Sequence, residues 1–117
     1  MTRLTYESHH NDGMVRLALA GEFDLSNAAQ VEDALMEIEQ ERPPLLVLDL
    51  RELTFMDSTG LRVMVSADAR ARDDSRRLAV VQGPEPVHRV FRITGLDDHL
   101  EMVETPEAAV RSDGAAR

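Results

Sequence analysis

Cysteine, lysine and tryptophan are all missing from this chain, and each absence excludes a class of function. Without cysteine there is no disulfide framework, no zinc site built on thiolates and no thiol nucleophile. Because all 13 basic residues are arginine, a Schiff-base lysine and the lysine of a phosphate-binding P-loop are excluded as well. Only three Phe and one Tyr are present, so the core is expected to be largely aliphatic and platforms for stacking nucleic-acid bases are nearly absent.

Basic clusters and long apolar runs are also scarce. The formal net charge is −9, and without clustered arginine a general nucleic-acid binder is not expected, since such proteins neutralise phosphates. Apolar runs such as Leu45 to Leu48 are too short to cross a bilayer, and residues 1–7 lack the apolar region of a signal peptide. We therefore expect a cytoplasmic protein with no membrane insertion and no direct contact with nucleic acid.

With 117 residues, the chain is expected to form one domain, because chains of this length rarely divide into two. Its first part predicts two strands, a weakly alternating one at residues 4–7 and a clearly alternating one at residues 14–20. The pair Asp12-Gly13 is typical of a hairpin turn between them. A helical apolar stripe follows at residues 28–38, with Ser26 as the predicted N-cap.

The middle and the end of the chain alternate between strands and helices. The continuous apolar run at residues 45–50 predicts a central strand covered on both faces. We expect the following residues, 51–57, to form a loop at the carboxyl end of the sheet, where functional loops lie in such folds. The remaining elements are helices at residues 61–71 and 85–94, a helix C-cap at Gly95, strands at residues 78–81 and 100–103, and a short last helix capped by Thr105.

This order of elements, β-β-α-β-α-β-α-β-α, predicts an α/β fold. Strands that alternate with helices form a mostly parallel sheet through right-handed crossovers, while the initial hairpin contributes an antiparallel edge strand. We expect a sheet of four to five strands packed against about four helices. Residues 1–112 are expected to form this domain, and the small, polar residues 113–117 a flexible C-terminal tail.

The segment most suggestive of function is residues 54–61, Thr-Phe-Met-Asp-Ser-Thr-Gly-Leu. Asp57, Ser58 and Thr59 stand where a helix is expected to begin, and side chains of these types accept hydrogen bonds from the first N–H groups of a helix. Capping alone would explain them. The same position also suits a hydroxyl that carries a phosphate, because the free N–H groups and the helix dipole tolerate a dianion.

Four segments of the chain carry a resemblance to a known family: Leu19–Asp24, Leu48–Leu50, Phe55–Leu61 and Val90–Leu96. Together they resemble the STAS family, and in particular its stand-alone anti-sigma factor antagonists, and they run in the family's order within Met14 to Val103. The third segment is similar to the family's phosphorylation-site signature. The resemblance implies a single STAS-like α/β domain that acts as a regulatory binding module, with no catalytic residue, metal or cofactor of its own.

The resemblance further implies a partner switch centred on Ser58. In that family the first hydroxyl residue after the aspartate, here Ser58, receives a phosphate from ATP through a kinase-type anti-sigma factor, and a metal-dependent serine phosphatase removes it. The unphosphorylated form binds the anti-sigma factor and so releases sigma factor, whereas the phosphorylated form does not bind. The residues implied to face the partner are Glu22, Asp24, Asp57, Thr59, Gly60 and Arg62.

Most of these residues have a second interpretation. Asp57 either caps the helix or orients the acceptor serine and its kinase. Thr59 is an alternate phosphoacceptor, and Gly60 either lets a partner's backbone approach closely or permits the turn. Asp68 lies on the same helix as Arg62, and we expect both to face the partner.

Glu22 and Asp24 are expected in a loop beside the acceptor, although the end of a strand followed by the start of a helix would also explain them. Phe23, between them, is expected in the core. The chain is thus predicted to present two acidic groups and one buried ring at the end of its second strand.

Two other functions are open alternatives. A STAS domain could serve as a scaffold subunit of a stress-sensing assembly or of a transporter complex, without control by Ser58 phosphorylation. A Ser-His-Asp hydrolase is disfavoured because no Gly-x-Ser-x-Gly elbow surrounds Ser58. The four histidines lack the spacing of metal ligands, so no metal site is expected.

Overall fold

The computed structural model describes residues 3–111, so the predicted tail at residues 113–117 lies outside the described residues. Strands and helices follow one another in the predicted order. The strands are β1 (Leu4–Asn11), β2 (Met14–Phe23), β3 (Leu45–Met56), β4 (Arg77–Val81) and β5 (Glu101–Val103), and the helices are α1 (Ala28–Glu39), α2 (Ser58–Asp73), α3 (Glu85–Thr94) and α4 (Pro106–Arg111). In this described part of the chain, no helix has the length and apolar character needed to span a membrane.

The five strands form one sheet in the order β1-β2-β3-β4-β5. β1 is antiparallel to β2, and every other neighbouring pair is parallel. The predicted α/β class, the antiparallel edge strand and the central position of the strand that begins at Leu45 are therefore confirmed. Because a helix joins each parallel pair, the chain leaves β2, β3 and β4 at the same edge of the sheet.

The first hairpin is longer than the alternation at residues 4–7 predicts. β1 runs to Asn11, and all 8 of its residues pair with β2. The turn consists of Asp12 and Gly13, with φ angles of 45° and 81°, as the Asp-Gly pair predicts for a two-residue hairpin. β1 is exposed on both faces beyond its first residue, so it needs no apolar alternation, and its polar second half looks like a turn in the sequence.

The two faces of the sheet are covered unequally. α1, α2 and α3 cover one face, where the main core includes the fully buried rings of Phe23 and Phe91. α4 covers part of the other face through a smaller cluster around Val47, Val81 and Ala109. Burial of apolar area is the main favourable term in folding, so the face with three helices contributes most of the stability.

β3 continues to Met56. The prediction of a loop at residues 51–57 was therefore wrong, because only Asp57 lies outside the strand. Two shifts of register against β2 explain the error: Ala18 and Ala20 pair with Asp49 and Glu52, and Gly21 and Glu22 pair with Leu53 and Phe55. Each shift places one extra residue on β3, as in a β-bulge. The bulges interrupt the alternation by which a strand is recognised in a sequence.

Hydrogen bonds to the side chain of Asp49 stabilise the first of these bulges. Its carboxylate is buried, and one oxygen accepts a hydrogen bond from the Arg51 backbone N–H at 3.2 Å. The side chains of Arg51 and Arg16 donate to the same carboxylate at 2.8 and 3.1 Å. Burial by itself raises the pKa of Asp49, but the hydrogen bonds from Arg51 and Arg16 outweigh it and hold the pKa below its ordinary value.

The Asp49 carboxylate makes the stability of the protein pH-dependent. Because its pKa is lower in the folded than in the unfolded chain, its contribution is fully present above the unfolded pKa of about 4 and is lost as the pH falls through the folded pKa. We expect Asp49→Asn to lower the free energy of unfolding at neutral pH by about 1–2 kcal/mol, since both arginines are partly exposed. Urea denaturation should show a much smaller loss in strong acid, and an equal loss at both pH values would contradict this role.

Two of the three helix caps predicted at Ser26, Gly95 and Thr105 are present in the structure. Gly95 ends α3 in the left-handed conformation, with a φ of 77°, and Thr105 Oγ1 accepts a hydrogen bond from the Ala108 N–H at 3.1 Å in the first turn of α4. Both caps are confirmed. At α1 the prediction was wrong, because Asn27 and not Ser26 occupies the N-cap position.

Candidate functional site

The carboxyl ends of β2 and β3 lie side by side, and this brings the predicted site residues to one edge of the sheet. Phe23 pairs with Met56 at the end of the ladder, and the Asp57 backbone N–H donates to the Phe23 carbonyl at 3.3 Å. Each strand then leads into a helix, β3 through Asp57 alone. The two segments that the sequence selects, residues 22–24 and 57–60, are therefore neighbours.

Asp57 is the N-cap of α2. Its Oδ1 atom accepts hydrogen bonds from the backbone N–H groups of Thr59 and Gly60 at 2.9 and 3.3 Å, which satisfies two of the donors that a helix start leaves free. The capping interpretation of Asp57 is confirmed, whereas its action on a kinase stays a prediction. Ser58 is the first residue of the helix and is exposed, and its hydroxyl bonds to no residue between positions 3 and 111.

Packing inside the protein requires a glycine at position 60. A Cβ atom added there would stand 2.8 Å from Met56 Cγ and 3.0 Å from Phe23 Cδ2. The absence of a side chain lets the first turn of α2 rest directly on Phe23, which is fully buried in the core, as the sequence predicts. Contact with a partner is not needed to explain Gly60, and its place in a partner interface stays a prediction.

The loop between β2 and α1 is held by its own polar side chains. The buried Asn27 amide donates to the Glu22 carbonyl at 2.8 Å, and its Oδ1 accepts from the Asp24 N–H at 3.1 Å. The Asp24 carboxylate accepts from the backbone N–H and the hydroxyl of Ser26, at 3.0 and 2.6 Å. Ser26 therefore fixes Asp24 instead of capping α1. Glu22 forms an ion pair with Arg3 at 3.3 Å, so each of the two acidic groups has a partner at the surface.

α2 exposes Arg62 and buries Asp68. Arg62 lies one turn after Ser58 and has no ion-pair partner among residues 3–111. Asp68 is buried, and it accepts a hydrogen bond from Arg72 Nε at 2.9 Å. Burial raises the pKa of Asp68, against the opposing effect of Arg72. The expectation that Asp68 faces a partner was wrong, because residues six apart on a helix differ by roughly 120° around its axis.

Two exposed hydrophobic side chains lie where β2 and β3 end, and sequence reasoning missed both. Phe55 is 48% exposed and Leu25 is 76% exposed. Phe55 precedes Met56 in β3, so its side chain lies on the sheet face opposite to that of Met56, which packs in the main core. The alternation of side chains along a strand could have indicated that only one of these two neighbours faces inward. Exposed apolar groups beside polar ones are typical of protein interfaces.

The histidines are scattered in the structure. His9 and His10 are exposed on β1, and His88 stacks on Phe91 with ring centres 6.3 Å apart. Within residues 3–111, no group of three or more His, Asp or Glu side chains is placed to hold a metal ion. The carboxyl edge of β2 and β3 is therefore the place where the candidate functional residues come together.

Comparison with known proteins agrees with the sequence resemblance. The chain matches the family model described as Mlab, STAS domain, over residues 7–104. The chain belongs to the STAS domain family. The anti-sigma-B factor antagonist of Listeria monocytogenes is 35% identical over 88 residues, 75% of this chain and 77% of that protein. The anti-sigma-F factor antagonist RsfB of Mycobacterium tuberculosis is 31% identical over 96 residues, 82% of this chain and 77% of that protein.

A solved structure agrees with the fold of this STAS domain. The crystal structure of an anti-sigma factor antagonist from Mycobacterium paratuberculosis superposes with a TM-score of 0.85 at 26% identity, over 93% of this chain and 92% of that chain. The resemblance of the four sequence segments to the STAS family is thus confirmed at the level of family and fold. The roles of Ser58 and of the partner-facing residues stay predictions.

Proposed function

We propose that this STAS protein is an anti-sigma factor antagonist controlled at Ser58. Its unphosphorylated form binds a kinase-type anti-sigma factor and releases sigma factor, and a phosphate on Ser58 ends the binding until a serine phosphatase removes it. The protein acts in the cytoplasm and supplies no catalytic residue or cofactor. Relatives more than 30% identical are named anti-sigma factor antagonists, which favours this function over a scaffold subunit of a transporter or stress-sensing assembly.

The main support for this proposal is the exposed hydroxyl of Ser58. It stands at the first position of a helix whose start is fixed by the Asp57 cap and by the packing of Gly60 on Phe23. A kinase can therefore meet the hydroxyl in a defined position. In the transfer, Ser58 Oγ forms a bond to the γ-phosphorus of ATP, the bond between that phosphorus and the ADP oxygen breaks, and the hydroxyl proton passes to a base of the kinase.

Charge explains how the phosphate would end binding. A phosphoserine adds a charge of about −1.5 to −2 to an edge that already holds the carboxylates of Glu22, Asp24 and Asp57. A partner surface that fits this edge before phosphorylation would have to accommodate additional negative charge at the interface, and desolvating added charge there is costly. A loss of about 3 kcal/mol lowers the affinity by roughly a hundredfold or more.

Phosphate transfer tests the proposal. The protein is incubated with ATP and the kinase-type anti-sigma factor that copurifies with it from its own cells, and the product is mapped by fragment mass spectrometry. We expect one phosphate, on Ser58, and none on the variant Ser58→Ala. The matched control is Ser66→Ala, which removes an exposed serine about two turns further along α2 and should accept phosphate normally.

Two results would overturn the proposal: incorporation that persists unchanged in Ser58→Ala, or no incorporation into the wild-type chain. The affinity for the anti-sigma factor gives a second readout of the same site. Ser58→Asp should bind weakly because it adds a negative charge at the acceptor position, while Ser58→Ala should bind like the unphosphorylated protein. Equal affinities for these two variants would contradict the role of charge.

A further inference from the structure

A phosphate on Ser58 would find the three backbone N–H groups that follow Ser58 already in use. Phosphates at helix starts are normally held by free backbone N–H groups. In α2 the N–H groups of Thr59 and Gly60 are bonded to the Asp57 carboxylate, and that of Leu61 is bonded to the Asp57 carbonyl. The phosphate would also stand beside the negative charge of Asp57. Neutralising it therefore requires a cation from elsewhere on the surface.

Arg62 is available for this role. Each of the other arginines between residues 3 and 92 has a side-chain nitrogen within 3.8 Å of a carboxylate oxygen. Arg62 has no such partner among the described residues, and it is exposed. In a chain with a net charge of −9, an unpaired arginine beside the acceptor hydroxyl is an unusual feature.

The spacing of Ser58 and Arg62 suits a contact between them. They are four residues apart on α2, so their side chains lie one turn apart on the same face, with Cβ atoms about 5–6 Å from each other. An acidic group four residues before a basic one is the more favourable order on a helix. The guanidinium group can also donate two parallel hydrogen bonds to phosphate oxygens.

We propose that a phosphate on Ser58 is bound by Arg62 of the same helix. This inference rests on the proposed function, because it concerns the phosphorylated form. It adds a second effect to the switch. The phosphate brings negative charge, and at the same time it occupies the arginine that the unphosphorylated site leaves exposed for a partner. Phosphorylation thus removes a free cation from the interface as well as adding an anion.

A titration followed by ³¹P NMR tests this contact without a kinase. Phosphoserine is placed at position 58 of the full chain during synthesis by genetic code expansion. Its second ionisation has a midpoint near about pH 6, and a bound guanidinium favours the dianion and lowers that midpoint. Arg62→Gln is therefore expected to raise the midpoint by roughly 0.3 pH unit. The difference should shrink in 1 M salt, where the Debye length is about 3 Å.

Two variants make the result specific to Arg62. Arg62→Lys keeps the positive charge and should keep the midpoint close to that of the wild-type chain. Arg89→Gln removes an exposed arginine of α3 that pairs with Glu85, and it should leave the midpoint unchanged. Asp57, Glu22 and Asp24 are the same in all of these variants, so the comparison isolates Arg62.

The outcomes separate this inference from the proposed function. Equal midpoints in the wild-type chain and in Arg62→Gln would overturn the contact while leaving phosphorylation of Ser58 untouched. An equal rise in Arg62→Gln and Arg89→Gln would also overturn it, since the effect would then come from net charge. Failure of the anti-sigma factor to transfer phosphate would overturn the proposed function, whereas the titration would still report on Arg62.

Discussion

Replacing Phe55 with serine is expected to weaken binding to the anti-sigma factor by roughly 30-fold or more. Phe55 exposes about half of its side chain beside the acceptor segment, and aromatic anchors supply much of the energy of protein interfaces once a partner covers them. Phe55 lies on the sheet face opposite to α2, so a partner that extends from Ser58 around the carboxyl edge of β3 would also cover the Phe55 ring. Isothermal titration calorimetry with the unphosphorylated protein measures the change.

Leu25 and Ile93 provide the comparison. Leu25→Ser should act in the same direction as Phe55→Ser but more weakly, since leucine is less common among dominant interface residues. Ile93 is 74% exposed, about as much as Leu25, but it lies near the end of α3, away from the carboxyl edge of the sheet. Ile93→Ser should therefore bind normally. If Phe55→Ser and Ile93→Ser bind equally well, the apolar groups near Ser58 do not contribute to binding.

Phe23→Ala is expected to lower the free energy of unfolding by about 3–5 kcal/mol and also to loosen the start of α2. The ring is fully buried beneath Gly60, so its removal leaves a cavity under the first turn of the helix. The backbone N–H groups that Asp57 caps, those of Thr59 and Gly60, belong to that turn. Urea denaturation measures the loss of stability, and hydrogen exchange at the Thr59 and Gly60 amides measures the local loosening.

Phe91→Ala is the matched control for this variant. Phe91 is as fully buried as Phe23 but belongs to α3, so it should cost a similar amount of stability without affecting the capped amides of α2 directly. Exchange at those amides, corrected for the change in global stability, should be faster only in Phe23→Ala. Identical corrected rates in the two variants would show that Phe23 has no particular role beneath the site.

The class of fold could be predicted because its signals are local. The continuous apolar run of β3, the Asp-Gly turn at residues 12–13 and the caps at Asp57, Gly95 and Thr105 each act within a few residues of the chain. Such signals establish the order of elements, and that order leaves few possible sheet topologies. The edge of the sheet at which the candidate site lies follows from the same reasoning.

The features that sequence reasoning missed depend on contacts between distant segments. The bulges that extend β3 to Met56 require β2 as a neighbour. Asp68 is a charged residue that sequence reasoning expects at the surface, and its burial depends on how α2 packs against the rest of the domain. Ser26 and Asn27 are both good cap residues, and only the contacts of the β2–α1 loop decide between them.

Asp57 alone connects β3 to α2, so the link between strand and helix is one residue long. The cap and the packing of Gly60 on Phe23 hold strand and helix in one relative orientation. We expect the backbones of the phosphorylated and unphosphorylated forms to coincide here, so that a partner distinguishes them by charge rather than by shape. Under the proposed switch, no slow rearrangement would separate the two states, and the kinase and the phosphatase would set the response time.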